Sequence, residues 1–372
     1  MSADVGYIIG IMERLAPERM AEGWDNPGLH LGTPSAKVKR ILVALDPVEE
    51  VAREAVDRKA DLLITHHPFF FEPVKTLRED HPAGRTAAIL IRNGISLYCA
   101  HTNLDNARGG INDYLASLLG IGDVKALEPP ERLGYEKIVV FVPVGYEDKV
   151  AMAMADAGAG WIGNYSHCTF RARGTGTFMP REGTNPFIGE RGTLERVEEY
   201  RLETIVPAEL TRQVVKAMLD AHPYEEAAYD VYALNNGRSD IGPGRIGVLP
   251  EPVPLGEFVK RVKDSLDLEW VKCTGDLNRL VKAVALCGGS GGSLIDTAAA
   301  KGADVFVSGD IKHHDGLKCR QLGMALVDAG HHGTEKIATD IIKRHIEGHI
   351  KGTDMEIEVM KSETNTNPFI LL

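Results

Sequence analysis

The sequence predicts an α/β protein: two α/β lobes with mostly parallel sheets forming one unit, interrupted by a ferredoxin-like α+β insert. Three observations predict it. Residues 38–105 alternate apolar strands with helical segments, residues 280–332 repeat that grammar, and residues 135–234 between them read β-α-β-β-α-β. The implied boundaries are 1–128 for the first half of the α/β unit, 129–237 for the insert and 238–372 for the second half.

Taken in order, MSADVGYIIGIMERLAPERM spaces its apolar residues helically and carries Asp4 where an export signal would be basic, so it reads as an amphipathic helix. VKRILVALDP, DLLITHHP and ISLYCAHTNLD then read as strands, separated by VEEVAREAVDRKA and a helix around residues 85–93. In the insert, KIVVFVPV, SHCTFRARGTGTFMP, VEEYRLETIVP and AAYDVYAL are strands, with EDKVAMAMADAG and AELTRQVVKAMLDAH as helices. The turn formers Gly183, Asn185, Pro186, Gly189 and Gly192 mark MPREGTNPFIGERGTLE as a mobile excursion. NNGRSDIGPGRIG and PEPVPLGEF mark the return. LVKAVALCGG, ADVFVSGD and MALVDAGHH are then strands, alternating with the helices SLIDTAAAKG and GLKCRQLG.

Composition narrows the partners. The chain has 372 residues, enough for about two or three domains, and its charge is −11. Such a surface repels phosphate backbones and anionic membranes, and no basic stripe offsets it, so small molecules or metal cations fit better than nucleic acid or lipid. The five cysteines are scattered, odd in number and never spaced C-x-x-C, which argues for reduced thiols, a cytoplasmic address and no cysteine-based zinc site. No apolar run approaches the roughly 20 residues of a membrane span.

Histidine placement points to the chemistry. Thirteen histidines would fall side by side about 0.5 times by chance, yet His66-His67, His313-His314 and His331-His332 are all doublets, each after a predicted strand. Ligands in open α/β sheets bind at the carboxyl ends of the strands, so these segments can converge on one site. His66 and His67 share it only if the chain turns, as Pro68 suggests; otherwise one is core and the other exposed. His101 and Asp105 fall on one side of a helical turn, although Asp105 could instead cap the helix near Gly110. His331 and Glu335 have the i, i+4 spacing of paired metal ligands, with His332 pointing elsewhere.

One four-coordinate ion would leave two of these six residues unused, whereas two ions with a bridging carboxylate and a bridging water use all of them. Glu335 is the candidate bridge. Zinc, or iron, manganese or nickel, suits such ligands. Asp310 and His314, again four apart, read either as a proton shuttle or substrate anchor at the rim, or as a helix cap and a buried histidine. CGGSGGS at 287–293 follows a strand and opens a helix, but lacks the spacing of a dinucleotide fingerprint and the lysine of a P-loop, so a tight turn explains it as well as phosphate binding.

AEGWDNPGLHLG at 21–32, ITHHPFFF at 64–71, AHTNLD at 100–105, SGDIKHHD at 308–315 and DAGHHGTE at 328–335, in that order, resemble the Nif-three-like dinuclear-metal family, whose members are often labelled GTP cyclohydrolase I type 2 homologues. PYEEAAYDVYAL at 223–234 resembles trimeric copper-tolerance and nitrogen-sensor domains. The resemblance implies that His66, His67, Asp105, His331 and Glu335 bind two divalent cations with His101 beside them. It places Trp24, Asp25 and Asn26 in a motif near that site as substrate-binding candidates, and it implies a ring-shaped homohexamer with the inserts over its openings. Two readings follow. One is a hydrolase acting on a nucleotide-like substrate through a metal-bridging hydroxide, with Glu335, Asp310 and His314 as its catalytic candidates. The alternative is a non-catalytic, metal-binding or regulatory hexamer.

Overall fold

The computed structural model describes residues 3–129 and 134–370. It divides into two compact units, Met1–Pro129 with Ser239–Leu372, and Pro130–Arg238.

The first unit carries two large sheets. In one, the strands run in the order Glu358–Lys361, Arg40–Ala44, Leu62–Thr65, Ser96–Cys99, Gly28–Leu31. The first four are parallel and the last is antiparallel. Leu62–Thr65 and Ser96–Cys99 are buried at every position, the continuous apolar run expected of strands covered on both faces. Helices Glu49–Asp57 and Pro82–Arg92 connect them, the second starting with Pro82 in its first turn, where a missing N–H costs nothing.

The other sheet has the order Lys272–Thr274, Ala325–Asp328, Val305–Gly309, Leu280–Ser290, Arg245–Pro254, Gly122–Ala126. Three of its four inner strands, Ala325–Asp328, Val305–Gly309 and Leu280–Ser290, are parallel, and the remaining pairings are antiparallel. This lobe is therefore mixed, where the sequence predicts a mostly parallel sheet. The hydrophobic pattern of a buried strand is the same in either direction, so direction was settled by pairing.

The halves of this unit exchange strands. Glu358–Lys361, from after the insert, completes the first sheet, and Gly122–Ala126, from before it, completes the second. Arg245 fastens the exchange. Its fully buried guanidinium pairs with Asp113 and donates to the carbonyls of Gly242 (2.6 Å), Gly244 (2.8 Å) and Ala107 (2.9 Å).

The second unit is a four-stranded antiparallel sheet in the order Tyr229–Ala233, Tyr135–Pro143, Glu195–Pro207, Thr169–Phe178, the 4-1-3-2 arrangement of a ferredoxin-like fold. Helices Glu147–Asp156 and Thr211–Ala221 cover one face, packing Val150, Met154, Val214 and Met218 onto Ile138, Val140, Val142 and Leu202. Residues 179–194, expected to be mobile, are tied to this unit: Phe187 packs edge-on against Tyr146 with ring centroids 5.5 Å apart, and the Asn185 N–H donates to Glu225 at 2.9 Å.

Removing the Arg245 guanidinium takes the cation from Asp113 and the donor from the Gly242 carbonyl, the costly side of breaking a buried polar cluster. Arg245→Met should lower unfolding free energy by about 3 kcal/mol in chemical denaturation; a change under about 0.5 kcal/mol would show that the exchange needs no such clasp.

Candidate metal centre

The carboxyl ends of the parallel strands in both sheets meet, and the histidines meet there with them. Leu62–Thr65 ends immediately before His66 and His67, where the backbone leaves the strand, so both rings turn toward the same point with centroids 5.1 Å apart. Ser96–Cys99 runs into the short helix Thr102–Asn106, which His101 precedes and which carries Asp105. Ala325–Asp328 runs through Gly330 into the helix His331–Glu335, whose single turn sets His331 and Glu335 on one side.

The six predicted ligands are brought together. His66, His67 and His101 offer one ligand atom each within 4.8 Å of one another; so do His67, His331 and Glu335, and so do His66, Asp105 and Glu335. Glu335 is divided between two of these groups. Its Oε2 lies 2.8 Å from Nε2 of both His67 and His331, while Oε1 faces His66 Nε2 at 3.8 Å. Asp105 Oδ1 also lies 3.8 Å from His66 Nε2.

Each imidazole is aimed by its other nitrogen. His67 Nδ1–H donates to Asp46 (2.6 Å), His101 to Asp25 (2.8 Å), His331 to Asp310 (2.7 Å) and His66 to the Ala100 carbonyl (2.8 Å). This is the outer support that metal-binding histidines use to fix tautomer and ring direction, leaving Nε2 free to point inward.

Charges in the cluster act strongly on one another. Burial opposes ionisation of Glu335, but hydrogen bonds from His331 and His67, with the His66 ring facing its other oxygen, hold its carboxyl well below the usual range. Burial works against charge on His67 too, yet Asp46 and Glu335 raise it to about 10. The Glu335 hydrogen bond, with Asp310, raises His331 to about 9. Burial, followed by repulsion from Glu335, pushes Asp105 up, and burial pushes His66 down. The buried atoms His66 Nε2 and Asp105 Oδ1 have no hydrogen-bond partner among the described residues. Buried polar atoms are normally paired, and a divalent cation between His66, Asp105 and Glu335 would satisfy both orphans at once. The donor set fits a borderline divalent cation.

The sequence also matches a known family. Residues 3–368 match Duf34/NIF3 (NGG1p interacting factor 3). The chain belongs to the Duf34/NIF3 family. The GTP cyclohydrolase 1 type 2 homologs of Halalkalibacterium halodurans and Bacillus subtilis are each 42% identical to it over 365 residues, covering 98% of both chains. A Bacillus cereus protein related to NIF3 superposes with a TM-score of 0.90 at 42% identity, covering 99% of each chain. A Staphylococcus aureus protein superposes with 0.74 at 27% identity, again over 99% of each.

The remaining predicted site residues of this Duf34/NIF3 chain divide by what they touch. Trp24 lines a cavity of about 1070 Å³ above the cluster; it is 63% exposed and stands edge-on to His101 with centroids 6.0 Å apart. Asp25, expected to touch substrate, instead points inward. Its carboxylate accepts from His101 and from the N–H of Thr102 (3.0 Å); burial opposes ionisation, but the His101 and Thr102 hydrogen bonds hold it down at about 2. Asn26 fastens loops, donating from Nδ2 to the Phe70 carbonyl (2.6 Å) and accepting at its own carbonyl from His30 Nε2–H (2.7 Å).

Asp310 and His314 do not act as a pair. Asp310 has a left-handed backbone (φ 53°), which aspartate tolerates better than most residues, and its carboxylate goes to His331. His314 lies exposed in the helix His313–Gln321, outside the cavity lining, and Asp315, not Asp310, accepts from the N–H of Lys312 at the start of that helix. The i, i+4 rule failed because Asp310 lies before the helix begins.

Three contributors escaped the sequence reading. Asp46 sits two residues beyond Arg40–Ala44, the strand-end position that flags ligands elsewhere in the sheet. Phe71, 51% exposed, meets His101 edge-on at 5.6 Å from the side of the ITHHPFFF segment. Within CGGSGGS, Gly289 admits the Glu335 carboxylate, since a Cβ there, at φ +64°, would lie 2.0 Å from Oε1, and Gly291 makes room for the Ser308 hydroxyl (2.4 Å). Close approach, not phosphate cradling, accounts for them.

Replacing Asp46 releases the His67 ring without removing a ligand atom. Asp46→Asn should weaken divalent-cation binding about 10- to 100-fold by competition with a chromogenic chelator; unchanged affinity would show that His67 is aimed by packing alone.

Proposed function

We propose that this centre holds two divalent cations with Glu335 shared between them, and that the protein is a metal-dependent hydrolase acting on a nucleotide-like substrate. The observation that carries the reading is the division of Glu335: one oxygen faces His67 and His331, the other faces His66, and an orphaned Asp105 oxygen lies beyond. A carboxylate has two oxygens to share, where an imidazole presents one inward nitrogen. His66, Asp105 and Glu335 would form one set, and His67, His331 and Glu335 the other, with His101 beside His66 and His67. Zinc is the first candidate, with iron, manganese or nickel as alternatives. Two such cations supply Lewis acidity and a hydroxide at neutral pH.

The chain's own residues do the rest. Asp46, Asp25 and Asp310 hold His67, His101 and His331 in the tautomer that presents Nε2, and so limit motion of the site during a reaction. Asp310, engaged this way, positions His331 and is not a free proton carrier. Trp24 and Phe71 offer exposed aromatic surface beside His101, a setting for a planar heterocycle. The cavity also bears Glu22, Glu49, Glu50 and Glu128, and Arg85 is taken up by Glu49 at 2.8 Å, so the protein groups favour binding a ring over gripping a polyphosphate. The relatives' name, GTP cyclohydrolase 1 type 2 homolog, is consistent with a purine-like ring.

The ring-shaped homohexamer is part of this proposal and rests on the family resemblance. Light scattering should give six chain masses; a monomer or dimer at micromolar concentration would remove it.

The central test is Glu335→Gln. Elemental analysis should give two cations per wild-type chain and one or none in the variant, and turnover of a panel of nucleosides, nucleotides, phosphoesters and amides should fall by at least about 100-fold. Equal metal content in both proteins would overturn the shared-carboxylate reading. Two cations in the wild type with no turnover of any panel member would favour a structural or regulatory role.

A further inference from the structure

A second cavity, of about 360 Å³, lies away from the metal cluster, between the edge strand Lys272–Thr274 and the helix His313–Gln321. Lys272, Lys312, Arg320 and His313 line it, and the acidic residue among its lining is Asp328. In a chain whose net charge is −11, this is a local reversal of sign. Lys272 pairs with Asp328 at 3.2 Å and lies over the Trp270 ring. The side chains of Lys312 and Arg320 have no carboxylate partner among the described residues, and neither does that of His313, whose ring stands edge-on to His314.

Two further features distinguish this cavity from an exposed basic patch. Thr274 lines it, and the Thr274 hydroxyl is buried with no hydrogen-bond partner among the described residues. Ile311, Leu317 and Leu326 supply apolar wall, so the pocket combines two cationic side chains that lack a carboxylate partner with a hydrophobic side, and the Thr274 hydroxyl lies within its wall. Pockets of this size hold small organic ligands, with a few polar groups setting their orientation. A guanidinium with nearby ammonium groups recognises a compact oxyanion.

We propose that this cavity is a binding site for a small phosphomonoester, with its dianion held by Lys312, Arg320 and Lys272 and its organic body against Leu317 and Leu326. The site does not depend on the hydrolase reading, because none of these residues belongs to the metal cluster.

Calorimetry at fixed ionic strength with the metal-loaded full chain tests this, using phenyl phosphate and inorganic phosphate as probes. Saturable binding is expected, tighter for phenyl phosphate because of the apolar wall. Affinity should fall about tenfold or more in the double variant Lys312→Ala/Arg320→Ala and be retained in Glu335→Gln. Equal affinity in wild type and double variant, loss of binding in Glu335→Gln instead, or a non-saturable response would each overturn the proposal.

Discussion

A carboxylate buried almost completely from water must be met by positive charge, and at Glu335 that requirement organises the surrounding structure. Three imidazoles face its two oxygens, and the carboxylates of Asp46 and Asp310 stand behind two of those rings. Negative and positive groups alternate outward from Glu335. The alternation favours positive charge around Glu335, and divalent cations suit that demand. Asp105, pushed toward its neutral form by burial and by Glu335, is the group that most needs a cation beside it.

Such a cluster could not form on one sheet alone. Its members come from strand ends on two sheets, and each sheet includes a strand donated by the other half of the sequence. The exchange means that separating the lobes would break main-chain hydrogen bonds as well as side-chain packing. Arg245 adds a buried polar clasp across the same halves, and Asn112 spans them as well, donating to the Asp105 carbonyl at 3.1 Å and accepting from the Gly288 N–H at 2.8 Å. Asp105, His331 and Glu335 sit on short helices, and His66, His67 and His101 within the first two residues beyond buried strand ends, so the cluster is anchored directly to the sheets, a condition for preorganising a charged site.

Much of the site was legible because its signals were local. Doubled histidines after apolar runs, and the four-residue spacing of His331 and Glu335, mark strand ends and a helical turn whatever the rest of the chain does. The same spacing misled at Asp310 and His314, where a left-handed residue and a later helix start separate the two. Asp25 shows another limit. Sequence placed it near the site but could not say whether its carboxylate faced the cavity or the back of His101, a difference of a side-chain direction that only neighbouring backbone decides.

The alternation of strand and helix, the position of the interrupting ferredoxin-like segment and the residues that gather in the candidate metal cluster followed from the sequence itself, since hydrophobic period and residue chemistry are local properties. Which strands cross between lobes, the mixed direction of the second sheet, the Asp46 support, the room made by Gly289 and the basic cavity beside Thr274 were decided only in the tertiary structure. Each depends on contacts between residues tens to hundreds of positions apart. No local pattern encodes those contacts, because they arise when the two sheets pack with their strand ends facing one another.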